Sequence, residues 1–236
     1  MALLLDSVDL DEIAAAMELG IFSGVTTNPK LLAGVARRDQ LDHLGAVARI
    51  GHGSLYMQVE HGPAEAMEEQ ALTLQEVAPG RCVIKVPISQ EGLVLCQRLR
   101  AHRLPVCMTA IFSPLQAVAA GAAGARAAAV YAGRLARSGE DGPAVVADCA
   151  RVLAGHGQTT RVIAASIADA QMLLALLRVP DIDLTLPGRL LPALLQHAGT
   201  TAALAEFAEA DRAARALGDE PSDAGDVMRL LGDDGE

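Results

Sequence analysis

Two hydrophobic rhythms alternate along the chain. Short apolar runs rich in β-branched residues are each followed by a longer stretch whose apolar residues recur at helical spacing. The runs that predict strands are residues 2–6, 24–28, 54–59, 82–87, 104–110, 126–131, 161–166 and 182–186. Helical spacing fills 9–19, 38–50, 63–77, 90–102, 114–123, 143–154, 168–177 and 187–196, with a last helix at 202–216. Pro29 is expected to open another helix, at a position that tolerates a missing N–H. Strand signals that alternate with helices mean parallel βαβ units. Eight of them in a chain of 236 residues predict an α/β fold of the (β/α)8, or TIM-barrel, kind with an additional C-terminal helix. An open doubly wound sheet is the competing architecture. It requires G-x-G-x-x-G after an early strand, and the sequence has none. The expected boundaries are one domain over 1–218 and an acidic, frayed tail over 219–236.

Composition adjusts this picture in three ways. Hydrophobic residues make up 51% but aromatics only 2%, so the core must be Ala, Leu and Val. A net charge of −10 argues against nucleic acid as a partner, although a small anion needs only one local basic pocket. No apolar run reaches membrane-spanning length, so no membrane association is expected. The first residues lack a basic segment and meet an acid at Asp6, which does not read as a signal peptide. Cys82, Cys96, Cys107 and Cys149 show neither C-x-x-C nor metal spacing. They read as free thiols of a reducing compartment, and the expected location is cytoplasmic. None of the six histidines has ligand spacing, so neither a metal nor a cofactor is expected.

Chemistry enters at residues 81–87, Arg-Cys-Val-Ile-Lys-Val-Pro. An ammonium inside an apolar strand costs several kcal/mol unless it is paired or loses its proton. The chain uses lysine only at Lys30 and Lys85, and its other seventeen basic residues are arginine. Lys85 therefore reads as chosen for something arginine cannot do, namely nucleophilic attack by a free amine. The alternative is a strand-end lysine that snorkels to water.

In a (β/α)8 barrel the chemistry sits at the C-terminal ends of the strands. Polar residues collect there: Asp6, then Thr26, Thr27 and Asn28, then Gln58, Lys85, Thr109, Tyr131 with Arg134 beyond it, Ser166 and Thr185. Three pieces give this ring a family likeness. They are Gly24-Val25-Thr26-Thr27-Asn28-Pro29, Val83-Ile84-Lys85-Val86-Pro87 and Thr109-Ala110-Ile111-Phe112-Ser113, with the shorter Ala165-Ser166. In this order and spacing the chain resembles the transaldolase family, in particular its small fructose-6-phosphate aldolases and short transaldolases.

That resemblance implies roles. Lys85 would form a Schiff base with the carbonyl of a dihydroxyacetone unit, and the iminium would act as an electron sink for C–C cleavage. Asp6 would take the proton of the reacting hydroxyl; its alternative is a cap for the helix near Asp9, a task open to Ser7 and Asp9. Asn28 would bind donor hydroxyls, or else form the turn before Pro29. Thr26 would support them, or bond to backbone. Thr109, Gln58 and Tyr131 would hold the water that shuttles protons. In the family, Gln with Tyr marks the aldolase side, whereas transaldolases tend to carry Glu and Phe. Glu60 lies two residues beyond Gln58 and would share its face if the strand continued. Arg134 and Ser166 would bind a substrate phosphate; the alternative for Arg134 is a solvated loop charge. The family usually has a second base two residues after that serine, where this chain has Ala168. Its loss puts phosphorylated acceptors in doubt, and Arg189 is positioned to compensate. Cys107 would line the donor pocket. Partners would be ketose and aldehyde substrates, together with copies of the chain itself in a pentamer or decamer. The competing functions are class I aldolase, transaldolase and a non-catalytic sugar-phosphate-binding barrel.

Overall fold

The computed structural model describes residues 1–216. Met1–Leu191 forms one compact unit and a second begins at Pro192. The first unit is a closed barrel of eight parallel strands in sequential order. The strands are β1 (Leu3–Asp6), β2 (Gly24–Thr26), β3 (Ser54–Gln58), β4 (Cys82–Pro87), β5 (Val106–Ile111), β6 (Ala127–Tyr131), β7 (Arg161–Ala165) and β8 (Ile182–Pro187). Closure is made by β1 against β8, with Asp6 opposite Pro187. The helices between them are α1 (Leu10–Glu18), α2 (Gln40–Ile50), α3 (Ala64–Val77), α4 (Gln90–Ala101), α5 (Pro114–Ala122), α6 (Ala132–Arg137), α7 (Gly142–Gly155) and α8 (Ala170–Leu177). Five of them start on the polar side chain that their sequence supplies. Asp9, Ser89, Ser113, Asp141 and Asp169 each accept from a backbone N–H of the first turn.

Strand residues alternate between two apolar environments. Leu4, Tyr56, Val83, Cys107, Ala127, Ala129, Ile163 and Ala165 pack together as the barrel interior. The neighbours Leu5, Met57, Ile84 and Met108 are fully buried on the opposite side, as expected for strands covered on both faces. Side chains repeat every second residue. Asp6, Gln58, Lys85 and Thr109 therefore share the inward row of Leu4, Tyr56, Val83 and Cys107, one step nearer the C-terminal rim. Few aromatics are needed because alanines of β6 fill much of the interior. The N-terminal end is closed by an ion pair. Asp183 accepts two bonds from the Arg161 guanidinium, at 2.6 and 3.1 Å, and one from the backbone N–H of Ala2 at 2.7 Å.

Some boundaries differ from the pattern-based expectation. Pro29 does not open an α-helix: Leu31–Gly34 and Arg37–Asp39 are 3-10 turns ahead of α2. The reason is Asn28, whose Oδ1 accepts from the N–H of both Lys30 and Leu31 at 3.1 Å and fixes a tight turn. Helix α6 was not visible as periodicity, since six residues barely exceed one turn. The helix expected over 187–196 is a 3-10 turn, Gly188–Leu190, followed by α9 (Leu191–Leu195). Pro187 belongs to β8 instead. In the second unit, α10 spans Ala198–Ala216 and starts four residues before the expected point. The tail expected at 219–236 lies outside the described residues.

Candidate functional site

At the C-terminal rim a cavity of about 430 Å³ opens over the barrel. Its volume lies within the range of small-ligand pockets, ~300–1,000 Å³. Asp6, Asn28, Lys85, Tyr131, Arg134 and Ser166 are on its wall. Residues from five strand ends and from helix α6 thus meet at one opening, although they are up to 160 positions apart in the sequence (6 to 166).

Lys85 is only 6% exposed. Its Nζ donates to the carbonyl oxygen of Thr27 at 2.8 Å. No carboxylate lies within ion-pair distance of it among the described residues; the arginine and histidine pairs use other partners. The amine neither snorkels to bulk water nor is neutralised by an acid, and the cavity lies beside it.

Asp6 is held from one side. Thr26 Oγ1 donates to Asp6 Oδ1 at 2.8 Å, and Asn28 Nδ2 donates to the same oxygen at 3.3 Å. A hydroxyl has one proton to give. The 2.6 Å contact between Thr26 and Thr185 therefore has Thr185 as its donor. The chain Thr185, Thr26, Asp6 ties β8, β2 and β1 together and leaves Oδ2 unbonded among the described residues. The capping work once open to Asp6 is done by Asp9, which accepts from the N–H of Glu12 at 2.9 Å, and Ser7 Oγ accepts from the N–H of Asp9. Thr26 is 2% exposed and reaches the cavity through its bonded neighbours Asp6 and Thr185. Asn28 serves both of its anticipated uses, as a wall residue and as a turn former.

On the other side Thr109 Oγ1 donates to Tyr131 OH at 3.0 Å. Thr109 is fully buried, so Tyr131 is its outlet to the cavity. The Tyr131 ring is fixed by its neighbours. Phe112 meets it edge-on at 5.7 Å, and the Arg134 guanidinium lies 4.4 Å from its centroid. Ala110, directly after Thr109, has φ 59°, and the β5–β6 register shifts between Met108 and Ile111. Ser166 has φ 62°. Left-handed backbone at non-glycine residues costs roughly 1–3 kcal/mol and tends to gather at functional sites. Of four such residues, Ala110 and Ser166 stand at this rim, whereas Arg103 and Asp181 lie in the loops that lead into β5 and β8. Gly133 is required beside Ser166, because a Cβ there would collide with the Ser166 carbonyl oxygen.

Two expected wall residues lie elsewhere. Cys107 is 1% exposed and packs in the barrel interior below the rim, so it does not line the cavity. Its thiol is pushed up to about 12, mainly by burial, with Lys85 opposing the shift. Gln58 is opposite Lys85 in the β3–β4 register but borders a separate cavity of about 470 Å³ between α2 and α3. Its Oε1 is buried without a hydrogen-bond partner, and it bonds neither Thr109 nor Tyr131. Glu60 does not share the Gln58 face, since β3 ends at Gln58 and Glu60 pairs with Arg37 at the surface.

Three polar wall residues received no individual role from the sequence: Lys30, Arg137 and Thr185. Thr185 had a usable signal, its inward position two residues before Pro187. Arg137 is three residues beyond Arg134, which places both on one face only once α6 is known to be a helix. Together with Lys85 and Arg189, the wall carries five bases and one carboxylate, Asp6, on a chain of net charge −10. The ion pairs within 4.0 Å among the described residues use none of Lys30, Arg134, Arg137 or Arg189. The opening is therefore a local cationic site suited to an anionic ligand.

Among the described residues no group of three or more His, Cys, Asp or Glu is placed to hold a metal, and no helix is long and apolar enough to cross a membrane. The family described as Transaldolase/Fructose-6-phosphate aldolase matches residues 3–235. A probable transaldolase of Moorella thermoacetica is 34% identical over 207 residues, covering 88% of this chain and 95% of its own length. Another, from Desulforudis audaxviator, is 35% identical with the same coverage. One from Chlorobium chlorochromatii is 32% identical over 216 residues, covering 89% and 97%. Similarity of this extent, on a closed eight-stranded barrel, makes the chain an enzyme of the transaldolase/fructose-6-phosphate aldolase family.

Proposed function

We propose that the enzyme is a class I aldolase that makes and breaks a C–C bond through a Schiff base on Lys85, with a dihydroxyacetone unit as donor. The observation that carries this reading is the buried Lys85 amine, aimed by a backbone carbonyl and open to the cavity without a carboxylate partner. Only the free amine attacks a carbonyl, and no carboxylate is placed to hold Lys85 as an ammonium among the described residues. Nζ adds to the ketone carbon and water leaves, giving the iminium. Asp6 Oδ2, left free while Oδ1 is anchored, takes the proton from the hydroxyl of the next-but-one carbon. The bond between that hydroxyl-bearing carbon and the carbon next to the iminium breaks, the aldehyde departs, and the electrons of the broken bond come to rest in the enamine. Protonation and hydrolysis then return Lys85 and release dihydroxyacetone.

Tyr131 and Thr109 serve the water of that last step. Thr109 donates to the Tyr131 oxygen, which leaves the phenol proton for the reacting oxygen. The pairing of Gln58 with Tyr131 favours release as free ketone. A second reading is transaldolase activity, in which the enamine passes to an acceptor aldehyde. It is favoured by the names of the relatives, which are probable transaldolases. The location would be cytoplasmic on either reading.

The test has two arms. Borohydride added with dihydroxyacetone should attach one three-carbon unit to the wild type and none to Lys85→Met; an unmodified wild type would refute the Schiff base. Fructose 6-phosphate without an acceptor should yield free dihydroxyacetone. Turnover only when an acceptor aldehyde is added, with the three-carbon unit recovered in a new ketose and none as free dihydroxyacetone, would assign the transaldolase instead.

A further inference from the structure

Strand β8 brings one more hydroxyl to the cavity. We propose that Thr185 is a specificity-determining residue, whose oxygen meets the donor ketone as a fixed hydrogen-bond acceptor and selects a substrate hydroxyl at that point. This rests on the Schiff-base reading above and adds a residue to its donor site.

Thr185 stands two residues before the end of β8, opposite Leu4 of β1. It is buried, yet it lies on the cavity wall. Its Oγ1 meets one partner among the described residues, Thr26 Oγ1 at 2.6 Å. Thr26 spends its single proton on Asp6 Oδ1 at 2.8 Å, so the Thr185 proton closes the shorter contact. Turning that proton towards the cavity would leave two oxygens facing each other with no hydrogen between them. The carboxylate at the far end thus fixes the direction of the whole chain, and Thr185 offers the cavity lone pairs only.

The opposite polarity stands on the other side of Asp6. In the barrel β1 lies between β8 and β2. Asn28, after β2, gives one Nδ2 hydrogen to Asp6 Oδ1 at 3.3 Å, and its Oδ1 is taken by the N–H groups of Lys30 and Leu31. Its second Nδ2 hydrogen is unspent among the described residues. The wall therefore presents an N–H from Asn28 and an acceptor from Thr185, with Asp6 between them. A hydroxyl suits this pair, since it accepts from one and donates to the other. A methyl pairs with neither. An ether oxygen or a carboxylate satisfies Asn28 but faces Thr185 with a second acceptor, which a polar site rejects.

The experiment measures the rate of borohydride trapping at low ketone concentration, with dihydroxyacetone and with acetone, in wild type, Thr185→Val and Thr185→Ser. Trapping reports imine formation at Lys85 rather than C–C cleavage. Valine keeps the shape and removes the acceptor, whereas serine keeps the hydroxyl. In Thr185→Val the preference for dihydroxyacetone over acetone should fall about two- to tenfold, the worth of one hydrogen bond. Thr185→Ser should keep it. An unchanged ratio in Thr185→Val, or an equal fall in Thr185→Ser, would overturn the assignment. Thr26→Val tests the fixed polarity, because it removes the acceptor of the Thr185 proton and lets that hydroxyl donate. Trapping of methoxyacetone relative to acetone should then rise about twofold or more over wild type; no rise would also overturn the assignment. A wild type trapped by neither ketone would sink the Schiff-base reading and this assignment with it. A trapped wild type with an unchanged ratio in Thr185→Val would sink this assignment alone.

Discussion

Tyr131→Phe removes one oxygen and little else. The ring remains, so the Arg134 stack at 4.4 Å and the Phe112 edge contact at 5.7 Å survive. What is lost is the acceptor for Thr109 Oγ1, at 3.0 Å. Thr109 is fully buried, so its hydroxyl becomes an orphan. A made hydrogen bond nets about 1 kcal/mol and an orphaned buried group costs about 1–3 kcal/mol. At 1.4 kcal/mol per tenfold, that is about fivefold to a hundredfold if the loss is felt in imine hydrolysis. Thr109→Val removes the other partner and creates no orphan hydroxyl. If the two act as one unit, the double variant should release dihydroxyacetone no more slowly than the worse single variant. It should also be more stable to urea than Tyr131→Phe alone. The assay is chemical-quench measurement of dihydroxyacetone appearing from the borohydride-trappable intermediate. Rate losses that multiply in the double variant would refute the coupling, because independent residues combine that way.

Gly133→Ala should destabilise the fold by about 2–4 kcal/mol in urea titration, since the new methyl must displace the Ser166 backbone. It should also weaken the preference for phosphorylated aldehydes, because Arg134 moves with its neighbour. Alkaline pH should unfold the protein for a reason that can be assigned in advance. Burial pushes the Cys82 and Cys107 thiols up to about 12, those of Cys96 and Cys149 up to about 11, and the Tyr56 phenol up to about 12. Each folded value lies above its ordinary value, so the native state keeps protons that the unfolded chain gives up. Stability is then full below about pH 9 and falls as pH rises towards 12. The Tm should hold from pH 8 to about 9 and drop from there to pH 11, and a flat profile above pH 9 would contradict the burial.

Strand parity explains why the ring of polar residues at the barrel rim could be read from the sequence. Asp6, Thr26, Gln58 and Tyr131 are the last residues of their strands and Lys85 and Thr109 stand two residues before the last, and a period of two is a local property. Loops carry no such period. Arg137 and Arg189 come from α6 and a 3-10 turn, whose few residues show no repeat to detect. Their value depends on where Ser166 and Ile167 arrive from another part of the chain. Gln58 shows the converse limit. Parity placed it correctly on the inward row, but the cavity it borders depends on how α2 and α3 diverge. Cys107 shares the inward row too, one step too low to meet the opening. Depth along the barrel axis, unlike facing, needs the shear between neighbouring strands.

The amine of Lys85 takes its aim from a main-chain oxygen, that of Thr27. Every amino acid supplies that oxygen. Substitution at position 27 can therefore alter the pocket without erasing the anchor, provided the strand end keeps its path. Drift or laboratory selection is then free to rework the surrounding side chains for new aldehydes while the reactive nitrogen stays trained on the same spot.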